Sequence, residues 1–167
     1  MDLNGALEAL PKQDPNTLVF RGDLKCCPAL KASIWHAAAS QREHIETLNA
    51  DNKELNERYR DLFKLSGFYD TATPSFFEPF YYVPNPEHSL FLAGIALRIQ
   101  SPGRSQQLAA IDDLAQDELM WKKVFEGNGT LSSILIAAAQ LHADFLFLAD
   151  MIADPSFELT LMDERHQ

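Results

Sequence analysis

The sequence is poor in basic residues and in cysteine, and it lacks every common catalytic or nucleotide-binding motif. Fourteen Lys and Arg residues stand against 24 Asp and Glu residues, which gives a formal net charge of −10. Nucleic-acid binding relies on basic side chains that neutralise phosphates, so this composition argues against a nucleic-acid partner. An acidic surface is also repelled by anionic lipid headgroups. Solubility explains the charge most simply, and a basic protein partner is the alternative.

The two cysteines, Cys26 and Cys27, are adjacent in the sequence. Consecutive Cα atoms lie about 3.8 Å apart, which is below the usual disulfide range of about 4.4–6.8 Å. We therefore expect two free thiols rather than a mutual disulfide, with intermolecular pairing or a strained redox pair as alternatives. Cysteine usage does not decide the compartment.

The N-terminus lacks the features of a signal peptide, because residues 1–10 have neither a basic start nor an apolar run. The longest apolar run, residues 131–152, is long enough to span a bilayer, but it contains Asp144 and Asp150. Charged residues near the centre of a membrane helix cost about 2.5–3.5 kcal/mol each. We therefore predict a core helix here and no direct membrane insertion by this chain.

Helical periodicity runs through residues 29–64 and 87–153 and predicts an all-α fold. A chain of 167 residues is most naturally one domain, large enough to bury about 70% of its unfolded surface. We predict an irregular helical bundle over residues 1–167, with at least four helices of ten or more residues. An irregular segment is expected at residues 1–27 and an extended tail at 155–167.

Two features predict where helices begin. Ser40 and Glu43 have the spacing of a capping box, in which both side chains satisfy amide groups at a helix start. A long helix to about residue 65 follows, and whether Ser40 starts it or lies within a longer helix stays open. Pro86 and Glu87 suit the first turn of a further helix.

Residues 106–152 predict a C-terminal hairpin of two long helices that turns at residues 126–129. The second helix repeats apolar residues at helical spacing, and its other side is apolar as well. We therefore predict that it is the central helix, covered on most sides. Its predicted inner stripe comprises Leu131, Ile134, Leu135, Ala138, Leu141, Phe145, Leu148 and Ile152. Truncation of Leu135 or Leu141 to Ala is then expected to cost about 2–5 kcal/mol.

A long loop rich in aromatic residues and proline is predicted at residues 68–85, with seven aromatic residues and three prolines in eighteen positions. Loops of this length are often functional or packed onto the core by their own side chains. One hypothesis is a lid whose rings cover the helices. The other is that Phe77, Phe80, Tyr81 and Tyr82 form a patch that binds a partner.

Several segments of residues 40–153 carry a family resemblance. They are Asn49-Ala50 with Leu55, Arg58-Tyr59-Arg60 with Leu62, Asp117-Glu118-Leu119-Met120-Trp121-Lys122-Lys123, Gly127-Asn128-Gly129-Thr130-Leu131, and Leu141 with Asp144 and Leu148-Ala149-Asp150. These segments resemble a group of uncharacterised proteins of Gram-negative bacteria with one N-terminal membrane anchor and a helical extracytoplasmic domain. The resemblance implies the extracytoplasmic side of the inner membrane if an anchor precedes this chain, with the cytoplasm as the alternative. It implies no activity.

Metal and cofactor motifs are missing along single helices. No Glu is followed by His three residues later, and no His-Glu-x-x-His occurs, so we expect neither a metal nor a cofactor. Chelator treatment is then expected to leave the melting temperature unchanged. His142 and Asp144 are expected to form a buried, hydrogen-bonded pair on the central helix.

Three functional hypotheses remain from the sequence. The leading one is a non-enzymatic helical interaction module that binds a protein or peptide partner through the aromatic loop. The second is a binder of an apolar or glycan-like small ligand, which predicts a closed, ring-lined cavity. The third is an enzyme with a site assembled from scattered residues such as Tyr82, His88, Asp112 and Asp144. The oligomeric state is undetermined.

Overall fold

A computed structural model describes residues 21–22, 33–67 and 86–158 of the chain. Within these residues, 81% of positions are helical, six α-helices are present and no strand occurs. The predicted all-α fold is therefore confirmed. The helices are α1 (Ile34–Ser40), α2 (Arg42–Asp51), α3 (Lys53–Asp61), α4 (Pro86–Ile99), α5 (Arg104–Glu126) and α6 (Leu131–Ala153), with a 3₁₀ turn at Leu62–Lys64.

The first three helices follow one another directly along the chain and are separated only by the single residues Gln41 and Asn52. The predicted capping box is wrong, because α2 begins at Arg42 and its N-cap residue is Gln41, which makes no side-chain capping hydrogen bond. The Ser40 hydroxyl instead donates to the Ala37 carbonyl at 2.9 Å, so it closes the preceding helix. The N-terminal cap of α1 is Ser33.

Helices α5 and α6 form the predicted C-terminal hairpin. Helix α5 ends at Glu126 and α6 begins at Leu131, which confirms the turn between them. Thr130 caps α6, because its side-chain oxygen accepts from the Ser133 amide at 3.3 Å. Helix α6 packs along α5, and α5 packs along α4.

The central helix of the bundle is α4, not α6 as predicted. Nine of the 14 residues of α4 are buried, whereas only five of the 23 residues of α6 are buried. Helix α4 contacts all five other described helices. Helix α6 lies at the edge of the bundle and faces it with one stripe.

The buried stripe of α6 differs from the predicted one. It comprises Ala137, Gln140, Asp144, Phe147 and Met151. Four members of the predicted stripe are exposed, namely Leu131, Leu135, Phe145 and Ile152. Leu141 and Leu148 are half-buried against the core. Because α6 is apolar on almost every side, its periodicity did not determine which side faces inward.

Trp35 connects α1 to the C-terminal part of α6 and to the residues that follow it. Its ring is buried and packs edge-on against Phe147 and Phe157. Its indole N–H donates to Oδ2 of Asp154 at 2.7 Å. Of the predicted irregular segment 1–27, only residues 21–22 are described, and Cys26 and Cys27 lie outside the described residues. The predicted tail is described only to residue 158.

Candidate functional site

The partner-binding residues predicted from the sequence, Phe77, Phe80, Tyr81 and Tyr82, lie outside the described residues. They are followed closely by α4, which begins at Pro86. The structure therefore leaves their predicted role untested. Two other features of the described residues stand out instead, a buried polar cluster and an exposed apolar helix face.

The buried cluster joins three helices through one histidine and two aspartates. His88 comes from the first turn of α4, Asp117 from the middle of α5 and Asp144 from the middle of α6. The side chains of Asp117 and Asp144 have no exposed surface, and that of His88 is 2% exposed. Ionisable groups are seldom buried so completely unless they are paired or bind a metal.

A single ring nitrogen faces both carboxylates. Nε2 of His88 lies 2.9 Å from Oδ2 of Asp117 and 2.8 Å from Oδ1 of Asp144. One ligand atom from each of the three residues can be chosen so that all three lie within 4.8 Å of one another. Groups that belong to three separate helices are thus brought to one point of the core.

Two aromatic side chains hold Asp117 from the other side. The Tyr59 hydroxyl donates to Oδ1 of Asp117 at 2.5 Å, and the Trp121 indole N–H donates to the Tyr59 oxygen at 2.9 Å. Tyr59 belongs to α3, so four helices contribute to this network. With both oxygens engaged, Asp117 has a defined orientation.

The environment shifts the pKa values of this network strongly. Burial lowers the pKa of His88, but hydrogen bonds to Asp117 and Asp144 outweigh this effect and raise that pKa to about 9. Burial holds the pKa of Asp144 above its usual range, against the opposite pull of His88. Burial and the charge of Asp117 raise the pKa of Tyr59, so its hydroxyl stays a neutral donor.

One atom of the cluster has no partner. Oδ2 of Asp144 is buried and accepts no hydrogen bond from the described residues. A buried carboxylate oxygen without a partner loses its hydration without compensation, which costs free energy. This oxygen belongs to the same carboxylate as Oδ1, which contacts His88, so the unsatisfied atom is part of the cluster.

The cluster contains part of the hypothetical enzyme site. His88 and Asp144 do come together, whereas Asp112 is exposed on α5 and Tyr82 lies outside the described residues. The carboxylate of α5 that reaches the cluster is Asp117. The predicted pairing of His142 with Asp144 is wrong, because His142 is exposed while Asp144 is buried.

The sequence contained few signals for this cluster. Its members are separated by 29 and 56 residues from His88, so no spacing along one helix marks them. Asp144 is recognisable as a polar residue within an apolar stretch, whereas His88 joins the hypothetical enzyme site by its residue type alone. Asp117 was missed because its neighbours Gln116 and Glu118 make it look like part of a polar face.

A groove of about 500 Å³ runs between α2, α3 and α4, and it bears on the small-ligand hypothesis. Its lining is mainly charged and polar, with Arg42, Lys53, Arg60 and Arg98 among the residues and Phe91 as the one aromatic ring. Arg98 donates to Asp113 at 2.6 Å, and Arg60 contacts the same carboxylate. The open, charged groove does not resemble the closed, ring-lined cavity that an apolar ligand requires.

The exposed apolar face lies on the outer side of α6. Its large members are Leu131, Leu135, Ile136, Phe145, Leu146 and Ile152, and Leu131 and Phe145 are 67% and 55% exposed. Helix α6 contains neither Lys nor Arg. By length and composition alone it is a helix that could cross a membrane, a test that core helices also pass. Contiguous apolar surface of this kind usually marks an interaction site.

Comparison with known proteins adds no relative to this description. No protein-family model matches the chain, and no curated protein or solved structure matches it either.

Proposed function

We propose that the protein is a non-enzymatic helical interaction module that binds a helical segment of a protein partner. The observation that carries this proposal is the exposed apolar face of α6. The aromatic residues Phe77, Phe80, Tyr81 and Tyr82 are proposed to contribute to the same partner-binding function, as their composition predicts.

The spacing of the residues along the outer side of α6, all exposed except half-buried Ala138, favours a helical partner. Leu131, Leu135, Ala138, His142, Phe145, Ala149 and Ile152 follow one another at alternating intervals of four and three residues. This is the spacing by which one helix packs knobs into the holes of another. The stripe extends over about 30 Å at 1.5 Å per residue, which suits a partner helix of similar length.

The charge of the chain favours a protein over a lipid surface. Helices that lie on membranes carry Lys and Arg beside their apolar face, and α6 has none. The formal charge of −10 disfavours anionic lipid and favours a partner helix with basic flanks, which it would attract during encounter. Inward-facing Phe147, Met151 and Asp144 tie α6 to the bundle, which opposes its transfer into a bilayer.

The direct test uses a synthetic amphipathic helix as probe. A peptide of about 21 residues, with leucine at the heptad core positions and lysine at the flanks, should bind the wild-type chain in the micromolar range or tighter. Titration calorimetry measures the affinity. The double variant Leu135→Glu with Phe145→Glu should bind at least about tenfold more weakly, because it places charge in the apolar stripe.

The matched control is the double variant Ser105→Glu with Gln116→Glu, which adds the same charge at exposed positions of α5. It should bind the peptide as the wild type does, apart from a small electrostatic gain. Equal binding by all three proteins would contradict the proposal. The proposal would also be contradicted if the wild-type chain bound zwitterionic lipid vesicles and the Leu135 and Phe145 substitutions abolished that binding. The same holds if the wild-type chain formed a dimer that these substitutions abolished.

A further inference from the structure

We propose that His88, Asp117 and Asp144 bind one divalent transition-metal ion at the point where their ligand atoms converge. This inference does not depend on the proposed partner binding. It departs from the expectation of no metal, which considered spacings along single helices only. The structure instead takes one ligand from each of α4, α5 and α6.

The ligand types select the class of ion. One imidazole nitrogen with two carboxylates is a mixed set of nitrogen and oxygen donors. Such sets suit Zn²⁺, Mn²⁺ and Fe²⁺, whereas a thiolate-preferring ion such as Cu⁺ would find no sulfur ligand among these three residues. Three protein ligands also leave coordination positions for further donors.

The distances fit a common ion. Zinc lies about 2.0–2.2 Å from nitrogen and carboxylate oxygen ligands. Two ligand atoms at such distances are about 3.3–3.6 Å apart at the tetrahedral angle that zinc prefers. They are about 2.8–3.1 Å apart at the right angles of octahedral coordination, which Mn²⁺ adopts and which the contacts of His88 match better. Nε2 of His88 is 2.9 Å from Oδ2 of Asp117 and 2.8 Å from Oδ1 of Asp144.

Proton counting favours an ion over hydrogen bonds alone. Nε2 carries at most one proton, and a strong hydrogen bond points that proton along one direction. The two short contacts of Nε2 with Asp117 and Asp144 therefore cannot both be linear hydrogen bonds. A cation between the three groups satisfies both carboxylates and the nitrogen lone pair together.

The partnerless oxygen of Asp144 supplies independent support. Oδ2 is buried beside the other ligand atoms and accepts no hydrogen bond from the described residues. An ion bound by Oδ1 lies within reach of Oδ2 as a second contact, or holds a water molecule that donates to it. Either arrangement satisfies an atom that the protein side chains leave unsatisfied.

Charge balance points the same way. The two carboxylates carry a charge of about −2 in a region almost without exposed surface, and a proton on His88 cancels only half of it. A divalent ion that displaces this proton leaves no net charge in the cluster. The competing explanation is a purely structural network in which bound protons provide the compensation, and the experiment must separate the two.

The surrounding residues provide the support that metal ligands usually have. Asp117 accepts the Tyr59 hydroxyl through Oδ1, which leaves Oδ2 directed towards His88. Trp121 in turn holds the Tyr59 oxygen. Such outer contacts orient ligating carboxylates, and their loss typically lowers metal affinity about 10–100-fold.

The first experiment uses the wild-type chain. After chelator treatment and dialysis, the protein is titrated separately with Zn²⁺, Mn²⁺ and Co²⁺, and bound metal is measured by elemental analysis. We expect one ion per chain for at least Zn²⁺ or Mn²⁺, and visible absorption from bound Co²⁺. At a free ion concentration about 100 times the dissociation constant, the melting temperature should rise by about 5–10 °C.

The second experiment locates the ion. His88→Gln and Asp144→Asn should each lower metal affinity at least about 100-fold, and Tyr59→Phe about tenfold. His142→Gln and Asp150→Asn are matched controls, because they remove an imidazole and a carboxylate from α6 at positions outside the cluster. Both controls should bind metal as the wild type does. Circular dichroism checks that each variant retains its helices.

Two results would overturn the inference. One is the absence of stoichiometric uptake of all three ions by the folded wild-type chain, which would leave the proton-compensated network. The other is unchanged affinity in folded His88→Gln and Asp144→Asn variants. If these variants do not fold, nuclear magnetic resonance of the wild type decides, since Zn²⁺ must shift the His88 ring signals and leave those of exposed His142 in place.

Discussion

Helices α4 and α6 are both rich in apolar residues, but they occupy opposite situations in the bundle. Helix α4 buries nine of 14 residues and contacts all five other described helices. Helix α6 buries five of 23 residues and leaves Leu131, Phe145 and Ile152 largely exposed. Apolar composition alone therefore does not decide which helix becomes the centre of this fold.

The difference in burial between α4 and α6 follows from how many other helices each one contacts. Helix α4 lies between α1–α3 and the hairpin in the sequence. The three helices before it and the two helices after it all pack against it. Helix α6 comes last among the described helices and meets the bundle mainly through α5. Its remaining apolar surface is available to a partner, which is the basis of the proposed function.

The largest expected effect is the difference in the free energy of unfolding between substitutions on the buried face and on the exposed face of α6. Phe147 is buried and Phe145 is 55% exposed on the same helix. Phe147→Ala should lower the free energy of unfolding by about 3–5 kcal/mol, because it opens a cavity beside Trp35. Phe145→Ala should cost less than about 1 kcal/mol. Urea unfolding of the two variants measures this contrast, and equal losses would show that both faces of α6 are covered.

The next effect compares the two helices. Leu92 on α4 has no exposed surface, whereas Leu135 on α6 is 40% exposed. Leu92→Ala should cost about 2–5 kcal/mol, and Leu135→Ala less than about 1 kcal/mol. This replaces the sequence-based expectation of a large loss at Leu135. Half-buried Leu141 should lie between these values. A loss at Leu135 as large as that at Leu92 would restore α6 as a central helix.

A smaller effect concerns the cluster that links α4 to α6. Tyr59→Phe removes the hydroxyl that donates to Asp117 and accepts from Trp121. It should cost about 1–3 kcal/mol, because two buried polar groups lose a partner while the ring still packs. The measurement is made in chelator so that bound metal does not contribute. A loss below about 0.5 kcal/mol would mean that this network adds no stability beyond ring packing.

Most of the fold was predictable from local signals. Pro86 marks the start of α4, and the glycine-rich turn before Thr130 separates the two helices of the hairpin. These signals act through backbone geometry within a few residues, so the sequence reveals them directly. Which face of α6 is buried was not predictable from the sequence. Polar Gln140 and Asp144 lie on its buried stripe, while leucine and phenylalanine lie outside.

The cluster was predictable only in part, for a different reason. Asp144 is recognisable as a polar residue in apolar surroundings, but Asp117 lies among polar neighbours and resembles a surface residue. What buries Asp117 is its contact with His88 and the Tyr59 hydroxyl, which belong to other helices. Such a site depends on how the helices pack, and no spacing within one of them encodes it.

The smallest expected effect lies in the predicted aromatic loop, residues 68–85, which is outside the described residues. Tyr81→Ala and Tyr82→Ala should each change the free energy of unfolding by less than about 0.5 kcal/mol and should weaken partner binding. Phe68→Ala and Phe76→Ala, nearer the preceding helix, should instead lower stability, since a fully buried ring contributes roughly 1.5–3 kcal/mol. Thermal melting and peptide titration of the four variants test this division. Losses above about 2 kcal/mol at both tyrosines would make the loop part of the core, and the face of α6 would then be the binding surface without it.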